Sequence, residues 1–145
     1  MHLTTYTDYS IRVLMLLKLK DNQRVTVSEV SEYFGVSKNH VVKVANNLAK
    51  LGLIKTTRGK GGGMVLAPEA GTAPLGNLIK ELEPNKNLIT CVNKQGQDCA
   101  IMCACKLMPK LNTALDNFYE ELNQYTLSDI VLTKQPNQSI LTIKG

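Results

Sequence analysis

The sequence predicts a mainly α fold with a small β-hairpin wing: a winged helix-turn-helix unit followed by a long C-terminal helix. Three observations predict it. Two amphipathic stretches, "TVSEVSEYFG" and "VSKNHVVKVANNLAKLG", follow one another across a Gly-containing junction. Strand-like "LIKTT" and "MVLA" then flank a glycine-rich basic tip, "RGKGGG". Finally, Leu107, Leu111, Leu115, Phe118, Leu122 and Tyr125 recur at steps of 4, 4, 3, 4 and 3, close to a heptad seam.

The first helix is read in "TDYSIRVLMLLKLK". Ile11, Val13, Leu14, Met15, Leu16, Leu17 and Leu19 leave it little polar face, so most of it should be buried. Thr26 and Glu29 stand at capping-box spacing before the second helix. Its Val27, Val30 and Phe34 share a face, and Gly35 can end it in a left-handed turn. Ser37 suits the N-cap of the third helix; Val41, Val44, Leu48 and Leu51 mark its inner face, and Gly52 stops it. Strands are expected over residues 53–57 and 64–67. A fourth helix is expected in "PLGNLIKELEP", with Pro74 suited to a first turn and Pro84 past the end. Residues 84–98 read as an irregular loop, and Thr126 caps a short "LSDIV" turn after the long helix. The division is therefore a winged unit over 1–83, a cysteine-rich loop over 84–106, the long helix and its short successor over 107–132, and a tail over 133–145. Because the winged unit must already bury its own helices, the long helix's stripe is expected to meet a second copy, making a homodimer.

Composition narrows the function classes. With 43% hydrophobic and 20% charged residues in 145, the chain should be globular. No signal peptide is visible, and the longest apolar run, residues 13–17, is far below the roughly 20 needed to span a bilayer. A cytoplasmic protein without a membrane partner is expected, with its thiols reduced. Clustered cysteines there favour metal or redox chemistry over disulfides. Residues 1–70 carry ten Lys/Arg against five acids, and residues 71–145 seven of each, so the whole +5 excess lies in the first half. That half is the one suited to a polyanion. No enzyme is expected: "GKGGG" lacks the order of a phosphate-binding loop, and His2 and His40 are the only histidines.

In the third helix the inward valines turn Lys38, Asn39, His40 and Lys43 outward, with Asn46, Asn47 and Lys50 further along. These side chains, with the N-cap Ser37, suit base edges and phosphates in the major groove of double-stranded DNA. Arg58 and Lys60 on the wing tip suit the minor groove or its phosphates. His40 reads as a groove or phosphate contact rather than a metal ligand.

All four cysteines crowd into "CVNKQGQDCAIMCAC", separated by seven, three and one residues. A zinc knuckle brings a close pair from each of two arms, and a second arm is missing; the spacing also departs from the common ferredoxin runs. An iron–sulfur cluster, a zinc ion and free oxidisable thiols all remain open from spacing alone.

"LTTYTDYSIRVL", "GVSKNHVVKVANNLAKLG", "TTRGKGGGMVLA", "IKELEP" and "CACKL" before the long helix occur in order over residues 1–132. This combination resembles the NsrR-type nitric-oxide-sensitive repressors, winged-helix regulators in the same family as the iron–sulfur assembly regulator IscR. The resemblance implies a dimeric transcriptional repressor on a near-palindromic operator, with an iron–sulfur cluster of the 4Fe-4S type, or secondarily 2Fe-2S. It implies as ligands Cys91, Cys99 and Cys105, with Asp8 of the partner subunit completing the set. It also implies that nitrosylation of the cluster frees the loop and shifts the winged units, releasing operator DNA. Cys99 and Cys105 keep the five-residue gap. Two departures are the longer first gap and the extra thiol Cys103, a possible substitute ligand. Without the resemblance, Asp8 reads as an acid favoured by the dipole of a first helical turn. The alternatives are an IscR-like regulator sensing cluster status and a zinc-stabilised DNA-binding module.

Overall fold

A computed structural model describes residues 2–21, 23–85, 88 and 105–131. Within them run α1 (Thr5–Leu19), α2 (Val27–Phe34), α3 (Lys38–Lys50), β1 (Ile54–Thr57), β2 (Gly63–Leu66), a 3-10 turn (Pro68–Gly71), α4 (Leu75–Leu82), α5 (Leu107–Leu122) and α6 (Leu127–Ile130). This is the mainly helical, winged architecture that the sequence predicts.

α1 begins two residues before the expected stretch because Thr4 Oγ1 accepts from the Thr7 N–H at 3.3 Å and so caps the helix there. Val13, Leu14, Leu16 and Leu17 are buried, while Ile11, Met15 and Leu19 only border the core. α1 is the central post, packed against α3, α4, α6 and β2. The capping box of α2 is complete. Thr26 donates to Glu29 Oε2 from its N–H at 2.7 Å and its hydroxyl at 2.8 Å, and the Glu29 N–H returns to Thr26 Oγ1 at 3.2 Å. Gly35, at φ +66°, makes the left-handed turn into α3.

The wing pairs Ile54 with Leu66 and Thr57 with Gly63. β1 starts one residue later than expected because the Leu53 N–H closes the end of α3 on the Leu48 carbonyl at 2.9 Å. A third segment joins the wing, as Val25 and Met64 exchange backbone hydrogen bonds of 3.0 and 2.8 Å. The 3-10 turn was not foreseen, and Pro74 precedes α4 rather than opening its first turn.

α5 does not present a uniform stripe. Leu115, Phe118 and Leu122 pack on the core and Tyr119 is buried, whereas Leu107 is 61% exposed. Tyr125 lies past the helix end. α4 meets α5 at Gly76, where an added Cβ would collide with the Tyr119 carbonyl and stand 2.7 Å from Asn123 Oδ1. The Asn77 N–H donates to that same oxygen at 2.8 Å. α6 then drives Leu127, fully buried, into the core beside α1.

Candidate nucleic-acid interface and thiol segment

Four side chains of α3, Val41, Val44, Ala45 and Leu48, anchor it in the core. The opposite face is open: Lys38, Asn39, His40, Lys43, Asn46 and Lys50 are exposed, whereas Asn47 is half-buried, against expectation. Ser37 sits at the N-cap, its Oγ 3.4 Å from the His40 N–H and 3.0 Å from His40 Nδ1. The His40 ring lies 6.0 Å from that of Tyr9 on α1, centroid to centroid. No acid occurs in α3. Among the described residues, the only ion pairs are Asp8–Arg12 and Lys80–Asp116, so Lys38, Lys43, Lys50, Arg58 and Lys60 are all unpaired. Unpaired exposed ammonium and guanidinium groups are the ones that can exchange counterions for phosphates.

The wing tip has its own scaffold. Its Gly62 N–H bonds the Gly59 carbonyl at 2.9 Å, and a Cβ at Gly62 would stand 2.8 Å from that carbonyl, so the tight loop excludes a side chain there. Arg24 Nη1 donates to the Gly61 carbonyl at 3.0 Å, tying the tip to the segment before α2. Sequence reasoning missed Arg24, because nothing local marks a contact across 37 positions. It also passed over Val42, which is 43% exposed on the polar side of α3.

On α1, Asp8 is gripped by Arg12: Nε donates to Oδ1 at 3.0 Å and Nη2 lies 2.9 Å from Oδ2. Both side chains remain over two-fifths exposed, so the pair contributes little to stability. Of the predicted thiol ligands, Cys105 is a free, half-buried cysteine two residues before α5. Cys91, Cys99 and Cys103 lie outside the described residues. Among the described residues, no group of three or more His, Cys, Asp or Glu side chains could hold a metal ion.

At the other end of the thiol-bearing stretch, Glu83 follows α4. It is 5% exposed, yet Oε2 accepts from the Thr4 N–H at 2.9 Å, the Thr4 hydroxyl at 3.2 Å and the Thr7 hydroxyl at 2.9 Å. Oε1 accepts from the Asn85 N–H at 3.1 Å. Burial pushes the carboxyl pKa up, but these four donors outweigh it and hold it below the ordinary glutamate value. Burial and the Glu83 charge together raise the Tyr119 phenol. The start of α1, the end of α4 and the last turn of α5 thus converge on one carboxylate.

A helix-turn-helix with a basic hairpin, its cations meeting no acid among the described residues, is the architecture of a winged-helix transcription regulator. The chain belongs to the Rrf2 family of iron-dependent transcriptional regulators, whose profile matches residues 3–133. Solved structures repeat the fold. CymR (YrzC), the global cysteine regulator of B. subtilis, is 20% identical with a TM-score of 0.68, over 93% of this chain and 99% of that one. IscR of T. potens is 22% identical at 0.64, over 90% and 85%. Staphylococcus aureus CymR is 20% identical at 0.64, over 92% and 99%. At these identities the likeness establishes the architecture. Among the described residues, no helix is long and apolar enough to cross a membrane.

Proposed function

We propose that this chain is a homodimeric repressor that binds near-palindromic double-stranded DNA and whose hold on that DNA is set by an iron–sulfur cluster sensitive to nitric oxide. The observation that carries the reading is one chain joining two features. It has an acid-free helix whose lysines are unpaired among the described residues, and a stretch holding all four cysteines that ends in the free thiol of Cys105.

The donor chemistry suits such a cluster. Thiolates of Cys91, Cys99 and Cys105, with one carboxylate from Asp8 of the partner subunit, would hold iron without any histidine, and Cys103 is a substitute ligand. Asp8 is partly exposed, and Arg12 fixes its side-chain direction without enclosing it. When bound, the cluster supplies iron that reacts with nitric oxide. The chain's own residues then relate that site to DNA. Glu83 ties one end of the thiol stretch to the start of α1, and Cys105 leads the other end into α5. α1 carries Asp8 and packs directly against α3. Ser37, Lys38, Asn39, His40 and Lys43 would meet the major groove, and Arg58 and Lys60 the minor groove. In a dimer, two such helices about one DNA turn apart tolerate little relative rotation.

Anaerobic purification of the wild type and of Asp8→Ala, Cys91→Ala, Cys99→Ala and Cys105→Ala, read by visible absorbance and by iron and sulfide content, tests the ligand set. The wild type should be brown, each cysteine variant should lose the colour, and Asp8→Ala should lose it faster on standing. A colourless wild type holding zinc would make the protein a zinc-stabilised module. An intact cluster in Cys91→Ala would overturn the assignment. A cluster that changes DNA affinity but ignores nitric oxide would mark an IscR-like sensor of cluster supply.

A further inference from the structure

Among the described residues, four large apolar side chains are strongly exposed: Tyr33, Val42, Leu107 and Tyr125. Leu107 and Tyr125 belong to the ends of the α5 stripe, and Tyr33 stacks edge-on against Phe34. Val42 is different. It stands in the middle of the recognition helix, 43% exposed, flanked by Lys38, Asn39, Lys43 and Asn46. A β-branched residue there gains nothing from the helix, since its intrinsic propensity is several tenths of a kcal/mol worse than that of alanine.

Resting on the DNA-reading role proposed above, we propose that Val42 is a specificity-determining residue that packs against the C5-methyl group of a thymine in the major groove. Asn39, Val42 and Asn46 stand at i, i+3 and i+7, a single row along the helix. Asparagine pairs in two-toothed fashion with adenine N6 and N7, and an apolar side chain meets the thymine methyl. α3 has no carboxylate to accept from cytosine N4. The row is therefore matched to A·T pairs, while the exposed Lys38 and Lys43 beside it supply the attraction to phosphate that brings it into the groove. Double-stranded DNA is the occupant that fits both halves of this surface, cationic and methyl-seeking.

The test uses the full chain purified without air and a duplex enriched by that chain from a random-sequence pool. Each thymine is replaced singly by uracil, which deletes only the methyl group. For the wild type, one replacement in each half-site should weaken binding about fourfold, the worth of one buried methyl. Val42→Ala should bind the thymine and uracil duplexes equally, with its salt dependence unchanged. Val42→Thr, which keeps one methyl, should retain part of the discrimination. If every uracil duplex binds the wild type as tightly as thymine does, or if Val42→Ala keeps the whole penalty, the assignment is wrong while the DNA-reading role stands. A pool from which no duplex is enriched would overturn both.

Discussion

At Glu83 a nearly buried carboxylate accepts four hydrogen bonds, and the linkage to pH follows from its lowered pKa. A carboxyl depressed on folding contributes stability that is fully present above its unfolded value of about 4.3 and disappears as pH falls through the folded value. Glu83→Gln keeps the shape but loses the charge, and its amide nitrogen cannot accept. The variant should be less stable at pH 7 by about 1–3 kcal/mol in urea unfolding. The gap from wild type should shrink steadily as the pH drops below about 4. An unchanged gap down to pH 2 would show that the charge is irrelevant. The same residue marks the limit of sequence reading. Thr26 with Glu29 was legible because a capping box spans three positions, whereas Glu83 meets Thr4 across 79 and Arg24 meets Gly61 across 37. Spacing rules see only what one helix or turn can bring together.

Between elements, the junction of α4 with α5 decides how the long helix sits on the winged unit. Gly76 lets the two backbones touch, and Asn77 and Asn123 bond across the contact at 2.8 and 3.3 Å. Elsewhere in a helix, Gly→Ala stabilises by about 0.5–1 kcal/mol. Here the new Cβ meets the Tyr119 carbonyl, so Gly76→Ala should instead cost about 1–3 kcal/mol in urea unfolding. A gain in stability would mean that α5 is not held at this point. The helices, the wing and their order were legible because capping residues, apolar period and glycines agreed with one another. The α5 stripe was legible only as a pattern. Its apolar residues divide between the protein's own core, at Leu115, Phe118 and Leu122, and solvent, at Leu107, and periodicity cannot say which partner a stripe meets. Val42 shows the converse: it lies between the buried Val41 and the core-lining Val44, yet it faces outward, 43% exposed, and residue type alone does not mark that.

For the molecule as a whole, α1 is packed under α3, fastened through Thr4 and Thr7 to Glu83, and bears Asp8 on its outer surface. A ligand set shared between two protomers would use those links to fix the separation of two recognition helices, and the family's iron dependence is consistent with that arrangement. Of the proposed site, the residues offered to DNA lie within 37–60, because a helix-turn-helix and its wing are local in sequence. The proposed thiol half has no such local signature, since three thiols and a carboxylate of a partner subunit would share no common spacing. The central claim is therefore best tested by titrating the cluster-loaded protein, without oxygen, onto its enriched duplex before and after nitric oxide, while following dimer mass by sedimentation. The account predicts a dimer throughout and at least a tenfold loss of affinity after exposure, equal to about 1.4 kcal/mol. A monomer, or one affinity shared by loaded, exposed and cluster-free protein, would contradict it.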